Sequence, residues 1–534
     1  MNLLESKLIK PLKLFLFGAF CVLGFAPFYF YPASILSLVG LFYYWHQAST
    51  PKQAAIDGFI YGLGLFGTGI YWIYISLHDF GNMPALMAGF STFLLCAFMA
   101  LFMAAVGALS VYLSANQSNR RLVAIPVFWA ISDWVRSWIF TGFPWLTMGY
   151  SQVPSSPLAG YMPIIGVYGV SLITVLIASL LSLWLIKLKT KDASACIWRR
   201  YAIGLFLLLW IGGSVLKLVE WTTPIGKPIK AALVQGNIAQ ETKWSPETAQ
   251  HTIDLYVNMV KDSIAELIVL PETALPVLSS QLDPSIKAAL AEHVSKNGGN
   301  IIMGMVEFND VTGEYFNSAI SYGGSPSQIY QKSHLVPFGE FIPLKQVFGW
   351  IYRDWLNMPL SDLSRGSKLQ KPMQLGSMKR DSSSISTQKV AVNICYEDVF
   401  GEEIIRQLPT ATLLVNISND AWYGQSNAAY QHMQFSQARA IETGRMVLRA
   451  TNTGATAMID THGNVIAQAP HFTQTTLNVT TQGYKGSTPY VRWGNSLFLA
   501  ICLIAFLFIG LPKFLASTKY LLRSNFLVSK SKTK

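Results

Sequence analysis

The stretch AVNICYEDVF, Ala391 to Phe400, carries a short apolar run into a cysteine and follows it at once with Tyr396, Glu397 and Asp398. A run that is apolar on both alternating faces is the pattern of a strand buried on both sides. The same texture recurs in KAALVQGN, ELIVLPET, NIIMGMVEF, SAISYGG, ATLLVNISND, RMVLRATNTG and ATAMID, each ended by turn or polar residues. Helical patterns such as SPETAQHTIDLYVNMVKDSI and NAAYQHMQFSQARAIETGR lie between several of them. This alternation predicts an α/β domain whose sheets are covered by helices.

Outside that region the chain is far more apolar. Of its 534 residues, 51% are hydrophobic and 13% charged, against a charged share of roughly 25% in soluble chains. Runs long enough to cross a bilayer, which takes about 20 apolar residues per helix, lie near 11–28, 31–47, 56–78, 85–114, 122–140, 161–186, 201–220 and 494–512. The expected architecture is a polytopic α-helical membrane bundle of about eight spans plus an external α/β domain. The bundle is expected over 1–222, the α/β domain over 228–483, and a last span with a basic tail over 490–534.

Lys and Arg collect on the cytoplasmic side of short loops. Lys7, Lys10 and Lys13 precede the first run; Arg120 and Arg121 separate the fourth from the fifth, and Lys187, Lys189, Lys191, Arg199 and Arg200 the sixth from the seventh. HDFGNM and TGFPWLTMGYSQVPSSPLAG, on the opposite side, hold neither Lys nor Arg. Both termini are thus expected in the cytoplasm and the α/β domain outside. Much of the net charge of +12 is then topology, and no basic stripe interleaved with aromatics points to a nucleic-acid partner. The N-terminal run lacks a small-residue cleavage site and reads as a retained span.

Of the five cysteines, Cys395 is the one in the external region, so it has no partner there with which to form a disulfide. Glu272 after LIVLP, Lys332 after QIYQ, and Asn419 with Asp420 after LLVNIS also stand just past buried strands, where open α/β sheets bind ligands. A thiol attacks as thiolate, and an ordinary cysteine of pKa about 8.5 needs a base near neutral pH. A carboxylate such as Glu272, desolvated by apolar walls, is expected to have its pKa raised toward a range where it takes and returns that proton. Lys332 nearby would favour the thiolate and steady an oxyanion, helped by a backbone N–H. Taken singly, each also has a plain reading: Cys395 as a core filler, Glu272 as a cap or turn residue, Lys332 as a solvated charge. Asn419 and Asp420 read as helix caps before pocket residues, and His432 and Arg439 as structural hydrogen bonders. No metal-ligand spacing is visible in the sequence.

Three further features stand out. The polar segment SRGSKLQKPMQLGSMKRDSSSISTQ, Ser364 to Gln388, reads as an exposed, mobile loop. PLKQVFGWIYRDWLNMPL, from Pro343, is nearly amphipathic and suits either a helix lying in the lipid interface or one packed on the domain itself. Arg136, three residues after Asp133 in the fifth run, is an ionisable group at membrane depth. It either holds an anionic group such as a phosphate or pairs internally with Asp133.

LPETALP, YQKSHLVPFGEFIP and NICYED follow in the order and context of the Glu, Lys and Cys triad of the nitrilase superfamily. With seven apolar runs before the domain and one after it, the chain resembles the apolipoprotein N-acyltransferases of Gram-negative bacteria over nearly its whole length. WVRSWIFTGFPWLTMGYSQ and ISNDAWYGQSNAAYQHMQFSQARAIETGR carry the likeness further. The resemblance implies an αββα sandwich, with Glu272 as general base, Lys332 as oxyanion stabiliser and Cys395 as nucleophile. It also implies Glu340 as a supporting carboxylate and functional positions for Trp244, Tyr396 and Glu397, with Trp244 facing the acyl chain or a mobile loop and Glu397 orienting Lys332. The reaction implied moves the sn-1 acyl chain of a phospholipid, typically phosphatidylethanolamine, through a Cys395 thioester to the α-amine of a diacylglyceryl-cysteine apolipoprotein, with no metal or organic cofactor. The alternative is a membrane-tethered amide hydrolase of the same superfamily.

Overall fold

The computed structural model describes residues 3–114, 118–188, 193–342, 362–376 and 388–508. The amphipathic stretch within 343–361, residues 377–387 of the polar segment, and the basic tail beyond 508 lie outside them. The N-terminal half is helical: α1 (Leu3–Cys21), α2 (Tyr31–Gln47), α3 (Pro51–Gly69), α4 (Trp72–Ile75), α5 (Ala85–Ser114), α6 (Ser118–Arg136), α7 (Met162–Leu188) and α8 (Ala193–Leu216). Three helices are long and apolar enough to cross a membrane, Ala85–Ser114, Pro157–Leu188 and Cys196–Leu216, and Pro51–Gly69 with Trp72–Phe80 qualifies as a pair bent by 51°. The chain is therefore a membrane protein, but the expected eight spans are not reached by that measure. The first and fifth runs fall on α1 and α6, which carry several charges and an internal proline, and the last on the shorter helix Ser496–Phe508.

Where α1 crosses α3 the backbones touch. A Cβ on Gly18 would stand 2.0 Å from the Tyr61 carbonyl oxygen, and one on Gly64 2.0 Å from that of Phe15. Small residues permit such approach in apolar surroundings, where close packing holds helices together.

The C-terminal half contains β1 (Thr222–Gln235), α9 (Pro246–Lys261), β2 (Leu267–Val269), α10 (Pro284–Lys296), β3 (Asn300–Asn309), β4 (Glu314–Gly323), β5 (Gln328–Gln331), β6 (Met373–Gln374), β7 (Lys389–Ile394), β8 (Leu413–Ser418), α11 (Ala428–Thr443), β9 (Val447–Thr451), β10 (Ala457–Ile459), β11 (Val465–Gln468) and β12 (Thr475–Gly486). They form two six-stranded sheets, ordered β12-β1-β2-β3-β4-β5 and β11-β10-β9-β8-β7-β6. The central triplets β1-β2-β3 and β7-β8-β9 are parallel, and the remaining pairs antiparallel.

Side-chain alternation explains the layering. Along β7, Val390, Val392 and Ile394 face Leu233, Val269 and Ile302 of the other sheet, while Ala391 packs with Met433 and Ala440 of α11. On the far side, Ile253 of α9 and Leu290 of α10 cover Ile268 and Ile301. The result is a helix–sheet–sheet–helix sandwich, with strands apolar on both faces because both are covered.

Two expectations about this region change. β1 begins at Thr222, ahead of the boundary at 228; Pro224, Gly226 and a register shift between Ile225 and Ile229 break its strand pattern. The segment from Ser364 is not wholly an exposed loop: Met373 and Leu375 are buried between the sheets, and Met373–Gln374 pairs with Val390–Lys389 as an edge strand. Two apolar residues suffice to anchor it despite the polar average.

The sandwich stands on the bundle through α11, whose Gln431, Gln434 and Gln437 recur on one helical face. Gln431 Oε1 accepts from the indole N–H of Trp145 at 2.7 Å and of Trp72 at 3.2 Å, and its amide donates to the Gly69 carbonyl. Gln434 Oε1 accepts from Ala26 N–H and Gln437 Oε1 from the Tyr29 hydroxyl. Apolar contact runs through the same seam, with Tyr396, Val399, Phe400, Phe435 and Ile441 in one cluster with the bundle core.

Candidate active site

Cys395 follows directly on β7 and Lys332 on β5, whereas Glu272 stands three residues beyond β2. These mounts come from both sheets; Lys332 and Glu272 are in contact, and Cys395 lies close enough for both charges to act on its thiol. Lys332 Nζ lies 2.8 Å from Glu340 Oε1 and 3.3 Å from Glu272 Oε1. Asn317, on β4, donates to the same two oxygens at 3.0 and 2.7 Å. The second oxygen of Glu272 accepts the backbone N–H of Asn419 at 2.9 Å, and that of Glu340 accepts Val336 N–H at 2.8 Å. Both carboxylates are thus held at each oxygen, and Lys332 keeps one N–H beyond these two pairs.

Charge and burial set the protonation states. Burial pushes the Glu272 carboxyl up, but Lys332, the Asn317 amide, Lys243 and the Asn419 N–H outweigh it and hold its pKa below the ordinary carboxylate value. This corrects the expectation of a raised pKa: the apolar walls are present, but four donors or cations converge as well. For Lys332 burial opposes the charge, and Glu340, Glu272 and Cys395 overcome it, so the ammonium is held above its usual range. Cys395 moves the other way from expectation. Burial and the Glu272 charge raise its pKa, and Lys332 only partly offsets them. At rest the proton therefore sits on sulfur and the carboxylate beside it is ionised.

The nucleophile candidate is fixed from behind. Cys395 has φ of +52°, a left-handed conformation unfavourable for a residue with a Cβ. Its carbonyl oxygen accepts from His432 Nε2 at 3.1 Å and Asn416 Nδ2 at 3.4 Å. His432 Nδ1 is 2.9 Å from Asp420 Oδ1, and Arg449 reaches Asp420 Oδ2 at 2.9 Å. The structural reading of His432 holds, and Arg439, paired with Glu442 at 2.9 Å, is structural as well. Asn419 and Asp420 do not cap a helix with their side chains; Asn419 bonds Gln240 and Asn452, and Asp420 anchors His432 and Arg449.

Glu397 does not touch Lys332. Its Oε1 accepts from Ser333 N–H, Ser333 hydroxyl and His334 N–H, and its Oε2 from Ile394 N–H and the Tyr330 hydroxyl. It fixes the backbone just after Lys332, at Ser333 and His334, and the Tyr330 hydroxyl just before it. Tyr396 donates its hydroxyl to the Gly142 carbonyl at 2.7 Å and stacks on Trp145, joining the site to the bundle. Trp244 is half-buried in the loop between β1 and α9. Arg136 is buried and internally paired, 2.6 Å from Asp133 Oδ1 and 3.0 Å from the carbonyl oxygen of Trp145, whose ring stacks on Tyr396.

Asn317, Lys243 and Gln240 were not singled out from the sequence. Asn317 had one visible signal, a lone amide inside the otherwise strand-like YFNSAISY. Among the described residues no group of His, Cys, Asp and Glu could hold a metal ion.

Fold and site together define a carbon–nitrogen hydrolase type of α/β domain carried on a membrane bundle. Residues 230–490 match the carbon–nitrogen hydrolase family, and residues 17–180 the apolipoprotein N-acyltransferase N-terminal domain. The apolipoprotein N-acyltransferase of Nitrosomonas europaea is 48% identical over 487 residues, 91% of this chain and 94% of its own. That of Chromobacterium violaceum is 40% identical, covering 91% of each chain. The chain belongs to the apolipoprotein N-acyltransferase family and is an acyltransferase. Among solved structures, Saccharomyces cerevisiae Nit3, of the nitrilase superfamily, covers 48% of this chain and 91% of its own at 17% identity with a TM-score of 0.35, too low to carry weight.

Proposed function

We propose that this enzyme transfers the sn-1 acyl chain of a phospholipid to the α-amine of diacylglyceryl-cysteine apolipoproteins through a thioester on Cys395. The observation that carries the reading is a buried thiol beside an ionised Glu272 and a lysine bridging two carboxylates, at the face where the domain meets the bundle. Sulfur attacks the ester carbonyl as its proton passes to Glu272. The oxyanion is met by the remaining N–H of Lys332 and by the backbone N–H of Tyr396. Collapse expels the lysophospholipid, whose leaving oxygen takes the proton from Glu272, and leaves an acyl thioester. The acceptor amine, with a pKa of about 7.7–8.0, then attacks; its proton returns through Glu272 to the departing sulfur. Glu340 and Asn317 hold Lys332 and Glu272 in register, and Glu397 and Tyr396 fix the ends of β5 and β7. Trp244, half-buried on the loop that carries Lys243, is assigned to face the acyl chain. Arg136 braces the Trp145 carbonyl directly, and Asp133, paired with it, takes the Met148 N–H.

The donor we favour is phosphatidylethanolamine. In this reading the α/β domain lies on the periplasmic side of the inner membrane, with eight spans distributed before and after it and both termini cytoplasmic. Basic loops on one side and Lys-free, Arg-free loops on the other support that orientation. The test is radiolabelled phosphatidylethanolamine supplied with and without a diacylated lipopeptide bearing a free α-amine. Label transferred to the peptide amine supports the reading; free fatty acid released at the same rate regardless of acceptor would replace it with hydrolysis.

A further inference from the structure

Lys243 is nearly as buried as Lys332, 2% exposed against 1%, but has no comparable carboxylate cage. Its Nζ lies 2.8 Å from Thr273 Oγ1 and 3.3 Å from the backbone carbonyl oxygen of Glu272. Burial lowers its pKa to about 8, with the Glu272 charge opposing. Relative to an unfolded lysine near 10.4, the unfolded chain binds that proton more tightly. The fold is therefore penalised while Lys243 is charged, and the penalty is relieved as pH rises from about 8 to 10. A residue present only for packing would not need the ammonium.

What the ammonium touches gives it a task. Thr273 has φ of +44°, so the turn directly after Glu272 is strained. The loop 236–245 carries Lys243, Trp244 and Gln240, and Gln240 Oε1 accepts from Asn419 Nδ2 at 2.7 Å. Asn419 N–H in turn donates to Glu272 Oε2 at 2.9 Å. One loop therefore grips Glu272 twice, at its backbone and, through Asn419, at its carboxylate. Facing this junction are the charged groups Glu272, Lys332 and Glu340.

We propose that Lys243 is a positioning residue for the acyl transfer: its ammonium locks the Glu272–Thr273 turn to the Trp244 loop, so that Glu272 is aligned on Cys395 only while that loop is seated. The proposal rests on Glu272 acting as the base. The experiment compares full-length Lys243→Met and Lys243→Arg with the parent protein in phosphatidylethanolamine-containing micelles. It follows single-turnover thioester formation on Cys395 across pH 6–9, with melting temperature in parallel. Lys243→Met is expected to melt at or above the parent temperature yet to acylate about 10- to 100-fold more slowly at pH 7. The donor concentration at half-maximal rate should change little. Lys243→Arg should recover most of the rate, and the gap between parent and Met variant should narrow above pH 8, as the parent lysine loses its proton. Parent-like acylation by the Met variant, a rate loss accompanied by a lower melting temperature, or Arg no better than Met would overturn the proposal. Absence of any thioester on the parent Cys395 would overturn the proposed function itself and is read first.

Discussion

Glu272 and Cys395 hold opposite protonation states at rest, and the chemistry depends on exchanging one proton between them. Glu272→Gln preserves size and one carbonyl acceptor but removes the base, so thioester formation should fall by about 10²- to 10⁴-fold, read by single-turnover acylation. The sign of the pKa shift sets the acid limb. With its folded value depressed by Lys332 and its hydrogen-bond donors against the pull of burial, Glu272 stays ionised through pH 6 and 5. The acylation rate should lose the base only below the ordinary glutamate value of about 4.3; a limb near pH 6 would contradict this state. Cys395, Lys332 and Glu272 were singled out because each stands just past a buried apolar run, and Glu340 only through the family resemblance of its PFGEF context. Asn317 and Lys243 were not, since their importance arises from meeting Glu272 across 45 and 29 residues of chain. The direction of the Glu272 shift was misread for the same reason: apolar walls show in sequence, converging donors do not.

At the scale of elements, α11 is the joint between catalysis and membrane. Replacing Gln431 by Leu strands two buried indole N–H groups, Trp72 and Trp145. At about 1–3 kcal/mol for each unmet donor, unfolding in detergent should show a loss of about 2–6 kcal/mol. Substitution of the exposed Gln250 on α9 should leave stability unchanged, and equal behaviour of the two variants would refute the joint. The α11 helix was legible from its pattern, but nothing in the sequence marked its row of glutamines as a joint, because the bundle that covers it is distant in sequence. The edge strand β6 was missed because Met373 and Leu375 are diluted among Ser and Lys. The start of β1 was misplaced because prolines and a register shift interrupt its alternation.

At the scale of the molecule, the sandwich and the bundle share one apolar core across their seam. A fragment spanning residues 222–486, freed from the helices, would expose Tyr396, Phe400, Phe435 and Ile441. It is expected to self-associate in size-exclusion chromatography and to form no Cys395 thioester; a monodisperse, acylating fragment would contradict that dependence. The division into apolar and α/β halves was plain from composition. The number of crossings was not, because α1 and α6 mix charges and prolines into otherwise apolar runs. The most direct measurement is mass spectrometry of the peptide carrying Cys395, taken from full-length protein purified out of phospholipid-rich membranes. The account predicts a fatty acyl mass on that cysteine, removed by hydroxylamine and by a diacylated lipopeptide with a free α-amine. A fully recovered but unmodified peptide, or an acyl group that the amine acceptor cannot remove, would contradict it.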